Sequence, residues 1–187
     1  MLAVSFAAKA QSKLIFKDKF MYTDVQVFNE TKRHSIPSLI DTGCSLCIID
    51  SIFAIDSCGI KEDELQTIPV NQTKDKISSA FIDSIFFCGK TYHKVYCLVA
   101  DLTGLYQKYA PKFIVGANIL RSGAWKFDME KNIVEPYDYN NKTKGIIYKW
   151  KNHEDYPDVA IDYIILDSKV NGKKTRFAFD TGCRNNK

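Results

Sequence analysis

The sequence predicts an all-β fold, a small barrel or sandwich with one or two short helical turns. Short apolar segments separated by turn signals recur along the chain, as in residues 82–87 and 95–100 around the Gly89-Lys90 turn. No segment carries the periodicity of a long helix. With 187 residues, of which 45% are apolar, the chain is long enough to bury one sizeable core, or one core and a fragment of another.

The elements of the first part of the chain follow from its apolar pattern. Val25 and Val27 alternate with polar neighbours and predict a strand, and the apolar run at residues 47–49 predicts another. Residues 50–55 predict one helical turn, and residues 101–109 predict a loop that contains a glycine. This part of the chain therefore consists of strands joined by short connections.

The segment after residue 112 predicts a strand that stops at a glycine. Residues 113–115 are apolar, Gly116 follows them, and residues 117–120 predict a short helix. Residues 125–128 then alternate in character, and residues 132–135 follow a turn at Lys131-Asn132, so we expect a closing hairpin there.

One motif, Asp-Thr-Gly-Cys, occurs twice, at residues 41–44 and 180–183. Each copy directly follows an apolar run. The run is Leu39-Ile40 before the first copy and residues 177–179 before the second. A strand that leads an aspartate into a turn, followed by a hydroxyl and a glycine, holds the carboxylate rigidly on an exposed loop. We therefore expect the two loops to face each other and to pair their aspartates.

Paired carboxylates provide acid and base catalysis together. At a separation of about 3 Å both groups cannot ionise, so they share a proton and divide into one acid and one base. The base then activates a water while the acid protonates a carbonyl oxygen. The candidate catalytic residues are Asp41 and Asp180, and the supporting loop residues are Thr42, Gly43, Thr181 and Gly182.

The second motif also predicts the organisation of the chain. An ungapped offset of 139 residues, the difference between 180 and 41, aligns Val25 with Ile164, Val27 with Leu166 and Ile40 with Phe179. The alternative, a chance surface turn at residues 180–182, is disfavoured by these aligned strands and by the identical cysteine. We expect a lobe at residues 20–140, followed at residues 141–187 by a polar linker and the truncated start of a second repeat.

The order of these motifs resembles that of the retropepsin-like aspartic proteases, in particular the bacterial single-lobe or tandem "aspartyl protease" type. The match runs over about residues 20–137: an Asp-Thr-Gly loop, a hairpin region, an apolar-apolar-Gly strand and a closing hairpin. The resemblance implies a closed barrel lobe in which Asp41 is catalytic, followed by the first strands of a second repeat. It also implies that Ile114, Val115 and Gly116 form a structural strand beside the catalytic loop.

The sequence departs from this family in three places. Cys44 follows the motif where the family usually has a small residue such as Ala or Ser, and Asn118 stands where a charged residue is common. The region of the expected flap, residues 68–77, contains no glycine, although a flexible hairpin tip normally uses one. The glycine-free flap region favours the alternative of a barrel that has lost its activity.

The resemblance implies an aspartic-type endopeptidase that hydrolyses a polypeptide substrate with no metal and no organic cofactor. The partner of Asp41 is either Asp180 or the Asp41 of a second chain, so a homodimer and a missing second lobe are both left open. The alternative function is a non-catalytic binding or scaffold module that lacks a glycine flap and a complete second lobe.

The cysteines provide a third, weaker hypothesis. Cys44 and Cys47 have the spacing of a thiol redox motif or half a zinc site, but no second pair follows at finger spacing. Buried small apolar side chains are the favoured interpretation. Cys88 and Cys97 flank the Gly89-Lys90 turn and are candidates to face each other across the hairpin.

Composition and the amino terminus restrict the partners and the location. The net charge is +4 with lysines scattered among acidic residues, which gives no basic stripe for nucleic acid, and no apolar run is long enough to span a membrane. Residues 2–8 are apolar and Ala8-Lys9-Ala10 resembles a cleavage site, so residues 1–19 predict a clipped signal peptide and a lead-in strand. We therefore expect an exported protein of the periplasm or cell envelope, with a cytoplasmic protein as the alternative.

Overall fold

The computed structural model describes residues 10–69, 76–138, 150–151 and 163–183. Three predictions fall wholly or partly on other residues. The apolar amino terminus at 1–9, the centre of the expected flap at 70–75 and the polar linker at 141–145 lie outside the described residues and stay predictions.

The described residues form fourteen strands and a few short helical turns. The strands are β1 Ser12–Lys13, β2 Ile15–Lys17, β3 Phe20–Asn29, β4 Lys32–Ile40, β5 Cys47–Asp50, β6 Gln66–Pro69, β7 Lys76–Phe87, β8 Lys90–Ala100, β9 Phe113–Val115, β10 Trp125–Asp128, β11 Ile133–Pro136, β12 Trp150–Lys151, β13 Tyr163–Val170 and β14 Lys173–Phe179. The α-helices are α1 Leu102–Tyr106 and α2 Ala117–Leu120, with a π-helical turn at Phe53–Ser57 and 3₁₀ turns at Glu62–Glu64 and Gln107–Tyr109. None of the described helices is long and apolar enough to cross a membrane.

Six of the strands close into a barrel. The hydrogen-bonded order of the main sheet is β2-β3-β4-β9-β5-β8-β7-β6, and an additional pairing of β3 with β7 closes the ring. Most neighbours are antiparallel, but β9 runs parallel to β4 and β5 runs parallel to β8. β9 lies between β4 and β5 in the sheet. The last residue of β4, Ile40, therefore pairs with Val115 of β9.

The residues that end β4 are buried on both of their faces. Because successive side chains of a strand point to opposite sides, Ile40 packs into the main barrel core while Leu39 packs into a second, smaller apolar cluster. We call this second set the outer cluster; its buried members are Phe20, Tyr22, Leu39, Leu102 and Ile114. The loop that follows β4 is therefore held by apolar packing from two sides.

The second copy of the motif lies at the end of a separate three-stranded sheet. This sheet has the order β12-β13-β14, and β13 and β14 form a hairpin whose turn is Asn171-Gly172. Both turn residues have positive φ, 50° and 78°, as the favoured two-residue hairpin turns require. The hairpin thus delivers Asp180 to the end of a strand in the same way that the barrel delivers Asp41.

Two local predictions were wrong. Cys88 lies in the turn beside Gly89, and Cys97 lies opposite Ala80 and beside Cys47, so Cys88 and Cys97 do not face each other across the hairpin. None of the six cysteines forms a disulfide bond with another described residue.

The segment at residues 101–109 is not a plain loop, since it contains α1 and a 3₁₀ turn. The Asp101 carboxylate caps α1 by accepting a 2.8 Å hydrogen bond from the backbone N–H of Thr103. The capping aspartate explains how a helix begins here in spite of Gly104.

Candidate active site

The first loop holds the Asp41 carboxylate by backbone hydrogen bonds. The N–H of Asp41 donates to the carbonyl of Val115 at 3.1 Å, which attaches the loop to β9. The N–H of Gly43 donates to Asp41 Oδ1 at 2.8 Å. Asp41 is buried, with 8% of its surface exposed. The side chain therefore has a fixed orientation inside the protein.

The second loop repeats this arrangement. The N–H of Gly182 donates to Asp180 Oδ1 at 2.8 Å, the same contact and distance as in the first loop. Asp180 is exposed, in contrast to the buried Asp41. The two carboxylates are thus presented by equivalent turns in environments that differ in their access to solvent.

The two threonines join the loops to each other. The N–H of Thr42 donates to Thr181 Oγ1 at 3.0 Å, and the N–H of Thr181 donates to Thr42 Oγ1 at 3.0 Å. Each hydroxyl donates in turn across the junction, Thr42 to the carbonyl of Phe179 and Thr181 to the carbonyl of Ile40, both at 2.8 Å. These four reciprocal hydrogen bonds set the spacing of the aspartates.

The glycines allow the carboxylates to approach. A Cβ atom added to Gly43 would overlap the carboxylate of Asp180, and one added to Gly182 would overlap the carboxylate of Asp41. Each carboxylate therefore occupies the space that a side chain at the opposite glycine would fill. Only glycine permits this packing, which accounts for its presence in both copies.

Burial and the second carboxylate change the acidity of Asp41. Burial disfavours the charged form most strongly, and the nearby charge of Asp180 adds to this effect, so the pKa of Asp41 is raised to about 6. Backbone hydrogen bonds from Gly43 and Cys44 lower this pKa, but they do not offset the other two effects. The pair can therefore hold a proton at mildly acidic pH and exchange it near neutrality.

The Cys44 thiol is not suited to nucleophilic chemistry. Burial, together with the charge of Asp41, raises its pKa to about 12, so the thiol remains protonated. Its Sγ donates to the carbonyl of Leu46 at 3.0 Å. Burial likewise raises the pKa of Cys97 well above its ordinary value. These environments favour the interpretation of Cys44 and Cys97 as small apolar side chains.

A cleft of about 340 Å³ adjoins the second loop. It is lined by Phe16, Lys19, Met21, Met129, Phe179, Asp180, Thr181 and Cys183. A larger hollow of about 860 Å³ lies on the β13–β14 hairpin and is lined by none of the motif residues. In the described part of the chain, no group of three or more His, Cys, Asp or Glu side chains is placed to hold a metal ion.

The structure brings together all the residues that the sequence singled out for the site. Asp41, Thr42 and Gly43 meet Asp180, Thr181 and Gly182, while Ile114 and Val115 lie in β9 beside the first loop. Gly116 faces the carbonyl of Leu46 so closely that a Cβ atom would clash with it. These site assignments stay predictions as far as catalysis is concerned.

Two further residues near the site were missed or underrated by the sequence reasoning. Asn118 accepts from the N–H of Cys47 at 2.8 Å and donates to the carbonyl of Tyr96 at 2.9 Å, so it links α2 to the start of β5 and to β8. Tyr106 packs against the outer cluster, and both aspartates act on it electrostatically. No local pattern distinguishes Tyr106, since its position depends on the folding of the segment before β9.

Comparisons with known proteins give the following findings. No family model matches the chain, and no curated protein matches it. Among solved structures, the chain is similar to a retropepsin-like aspartic protease from Rickettsia conorii, with 15% identity and a TM-score of 0.48 over 66% of this chain and 87% of that one. It is also similar to the retroviral protease-like domain of Ddi1 from Leishmania major, with 14% identity and a TM-score of 0.42 over 65% of this chain and 90% of that one.

The described residues form a mostly β, closed barrel with few short helices, as the sequence predicted. At these identities and TM-scores the two solved structures add no argument about activity. The strand order of this chain closes the barrel, because β9 lies between β4 and β5 and β3 pairs with β7.

Proposed function

We propose that this chain is an aspartic-type endopeptidase in which Asp41 and Asp180 of one chain act as a pair. The observation that carries the proposal is the set of four reciprocal hydrogen bonds between Thr42 and Thr181 and their loops. Because these bonds couple the two loops within one chain, a second chain is not needed to supply the second carboxylate. The proposed substrate class is a polypeptide.

The chemistry follows from the difference between the two carboxylates. Asp41, which is buried and has the raised pKa, holds the shared proton, and Asp180 acts as the base. Asp180 takes a proton from a water whose oxygen attacks the carbonyl carbon of the peptide. Asp41 gives its proton to the carbonyl oxygen, and a tetrahedral diol results.

The diol then breaks down to products. The amide nitrogen takes a proton from Asp180 as the carbon–nitrogen bond breaks, and one hydroxyl of the diol returns its proton to Asp41 while it becomes a carbonyl. The products are a carboxylic acid and an amine, and the pair returns to its starting protonation state. The reaction uses water and the two carboxylates alone.

The test is hydrolysis of an unstructured casein-like substrate between pH 4 and 7. We expect activity in the wild type, and at least about a thousandfold less in Asp41→Asn and in Asp180→Asn, since either change removes one half of the acid–base pair. Asp167→Asn is a matched control, because Asp167 is an exposed carboxylate of the same hairpin that lies outside the pair. Its Oδ1 is 3.4 Å from Arg176 Nε. Equal activity in the wild type and in Asp41→Asn would disprove the proposal.

A non-catalytic binding module is the second candidate, and one observation favours it. Phe177 and Phe179, which precede the second motif, are 45% and 44% exposed, whereas the equivalent strand of the first lobe is covered by the barrel. A sheet face of this kind is suited to covering by another polypeptide. Absence of hydrolysis in the wild type, together with binding of unfolded polypeptide that Asp41→Asn retains, would favour the binding module.

A further inference from the structure

We propose that Tyr106 is a substrate-binding residue whose hydroxyl donates a hydrogen bond to the polypeptide held over the Asp41–Asp180 pair. The inference rests on the proposed function and adds a residue from a different part of the chain. Tyr106 is the last residue of α1, on the connection between β8 and β9.

The ring of Tyr106 lies on the same side of the barrel as the first catalytic loop. It contacts the ring of Phe20 edge-on, with centroids 5.4 Å apart and an interplanar angle of 69°. The Tyr106 ring and the Cys44 side chain both pack against the outer cluster. Leu39 and Ile114 are members of that cluster. Leu39 precedes Asp41 by two residues and Cys44 follows it by three, so the ring adjoins the Asp41 loop.

The hydroxyl of Tyr106 makes no hydrogen bond to any described residue of the protein, although the side chain is half-buried. Other tyrosines of the barrel have such partners: the hydroxyl of Tyr22 donates to the carbonyl of Tyr109 at 2.6 Å, and that of Tyr96 donates to Ser79 at 2.8 Å. The Tyr106 hydroxyl is not one of the buried polar atoms that lack a partner, so solvent reaches it. A donor that is open to solvent beside the candidate active site is available to a polypeptide bound there, which would replace that solvent.

Burial and the charges at the site keep this hydroxyl protonated. Burial raises the pKa of Tyr106 most, and the charges of Asp41 and Asp180 are among the further causes. These interactions also indicate that the phenol lies within the electrostatic reach of both carboxylates. A phenol that stays neutral across the working pH range remains a hydrogen-bond donor.

The segment that carries Tyr106 is fixed at both ends. At its start, the N–H of Leu102 donates to Asp50 Oδ2 at 3.3 Å, and Asp101 caps the helix. At its end, the carbonyl of Tyr109 accepts the hydroxyl of Tyr22. A donor held in this way loses little entropy when substrate binds, which is the condition for a productive contact.

The test compares Tyr106→Phe with Tyr109→Phe in hydrolysis of a peptide substrate at pH 4 to 7. Tyr106→Phe removes one oxygen that has no protein partner and keeps the ring, so the fold is retained. Tyr109→Phe is the matched control, because it removes a hydroxyl from the same connection and leaves the backbone carbonyl that Tyr22 contacts. We expect kcat/KM to fall about tenfold or more in Tyr106→Phe and to change less than about twofold in the control.

The outcomes separate this proposal from the proposed function. If the wild type hydrolyses the peptide and Tyr106→Phe matches Tyr109→Phe, the role of Tyr106 is refuted while the peptidase remains. If the wild type and Asp41→Asn are equally inactive, the peptidase fails and the role of Tyr106 fails with it. Tyr106→Leu provides a second variant that keeps apolar packing without the hydroxyl, and it is expected to lose activity at least as much as Tyr106→Phe.

Discussion

At the scale of the residue, Asp41 is a carboxyl group placed where its charge is unfavourable. Its pKa is raised to about 6 from the ordinary value of 3.8, chiefly by burial and then by the charge of Asp180. A group of this kind binds its proton more tightly in the folded state than in the unfolded one. Between about pH 4 and 6 the folded protein therefore carries more protons, and the free energy of unfolding falls as the pH rises.

The first prediction is that Asp41→Asn stabilises the protein at pH 7 more than at pH 4. The wild type should lose up to about 3 kcal/mol of its free energy of unfolding from this group between those pH values, because a shift of one pKa unit corresponds to about 1.4 kcal/mol. The asparagine side chain at position 41 does not titrate between these pH values. Urea unfolding of both proteins at the two pH values measures the difference, and an equal pH dependence in both would contradict the assigned environment.

A second prediction concerns the threonine pair. Thr42→Val removes the hydroxyl that bonds Phe179 and Thr181, whereas Thr42→Ser keeps it. We expect Thr42→Val to cost about 1–2 kcal/mol in the free energy of unfolding, because part-buried backbone groups of the second loop lose their partners. Thr42→Ser should cost less.

A double-mutant cycle with Thr181→Val tests whether the threonines act together. Since the two side chains share one network, the double variant should lose less than the sum of the single variants. Additive losses would show that the loops are not coupled in solution.

At the scale of the element, β9 and the turn after it hold the Asp41 loop in position. β9 pairs with β4 on one side and β5 on the other, and the N–H of Ala117 donates to the carbonyl of Cys44 at 2.7 Å. Gly116 lies where these segments meet, against the backbone carbonyl of Leu46. The Asp41 loop is thus positioned by a neighbouring strand about seventy residues away in sequence.

The third prediction is that Gly116→Ala destabilises the protein by about 2 kcal/mol or more, because the added methyl meets a backbone oxygen that cannot move freely. Gly123→Ala is the matched control, since no atom lies within 4 Å of a Cβ atom built there. Thermal unfolding of the two variants provides the comparison. A Gly116→Ala protein as stable as the control would refute the close approach.

At the scale of the whole molecule, the two copies of the motif are supported unequally. Val25 and Val27 are fully buried in the barrel core, but their counterparts at the offset of 139 residues, Ile164 and Leu166, are only half-buried. Phe177 and Phe179 on the paired strand are nearly half exposed. The second loop therefore depends on its contacts with the first loop for its position.

The fourth prediction tests this difference in solution. Phe177→Ser gives the hairpin the residue that the first lobe has at the aligned position, Ser38. We expect a change of less than about 0.5 kcal/mol in the free energy of unfolding, because the ring is largely exposed, whereas Val27→Ala should cost about 1–3 kcal/mol. A comparable loss in both variants, dependent on protein concentration, would indicate that a second copy covers the hairpin.

Part of the site could be predicted from sequence because its chemistry is local. The Asp-Thr-Gly triplets specify their own turns, in which the glycine N–H reaches the aspartate two residues earlier. The predicted hairpins likewise follow from the apolar pattern and from turn residues such as Asn171-Gly172. The connection that contains α1 was predicted as a loop, because a five-residue helix that begins at a cap has no periodicity to detect.

The sequence by itself determined the all-β class, the repetition of the motif and the two aspartates that the repeat offers as candidates, since these depend on residue type and on spacing along short segments. The tertiary structure alone decided that the two loops exchange hydrogen bonds through Thr42 and Thr181, that Asp41 is buried while Asp180 is exposed, and that Tyr106 lies beside them. The physical reason is that burial and electrostatic coupling depend on contacts between segments far apart in sequence, which the closure of the barrel creates.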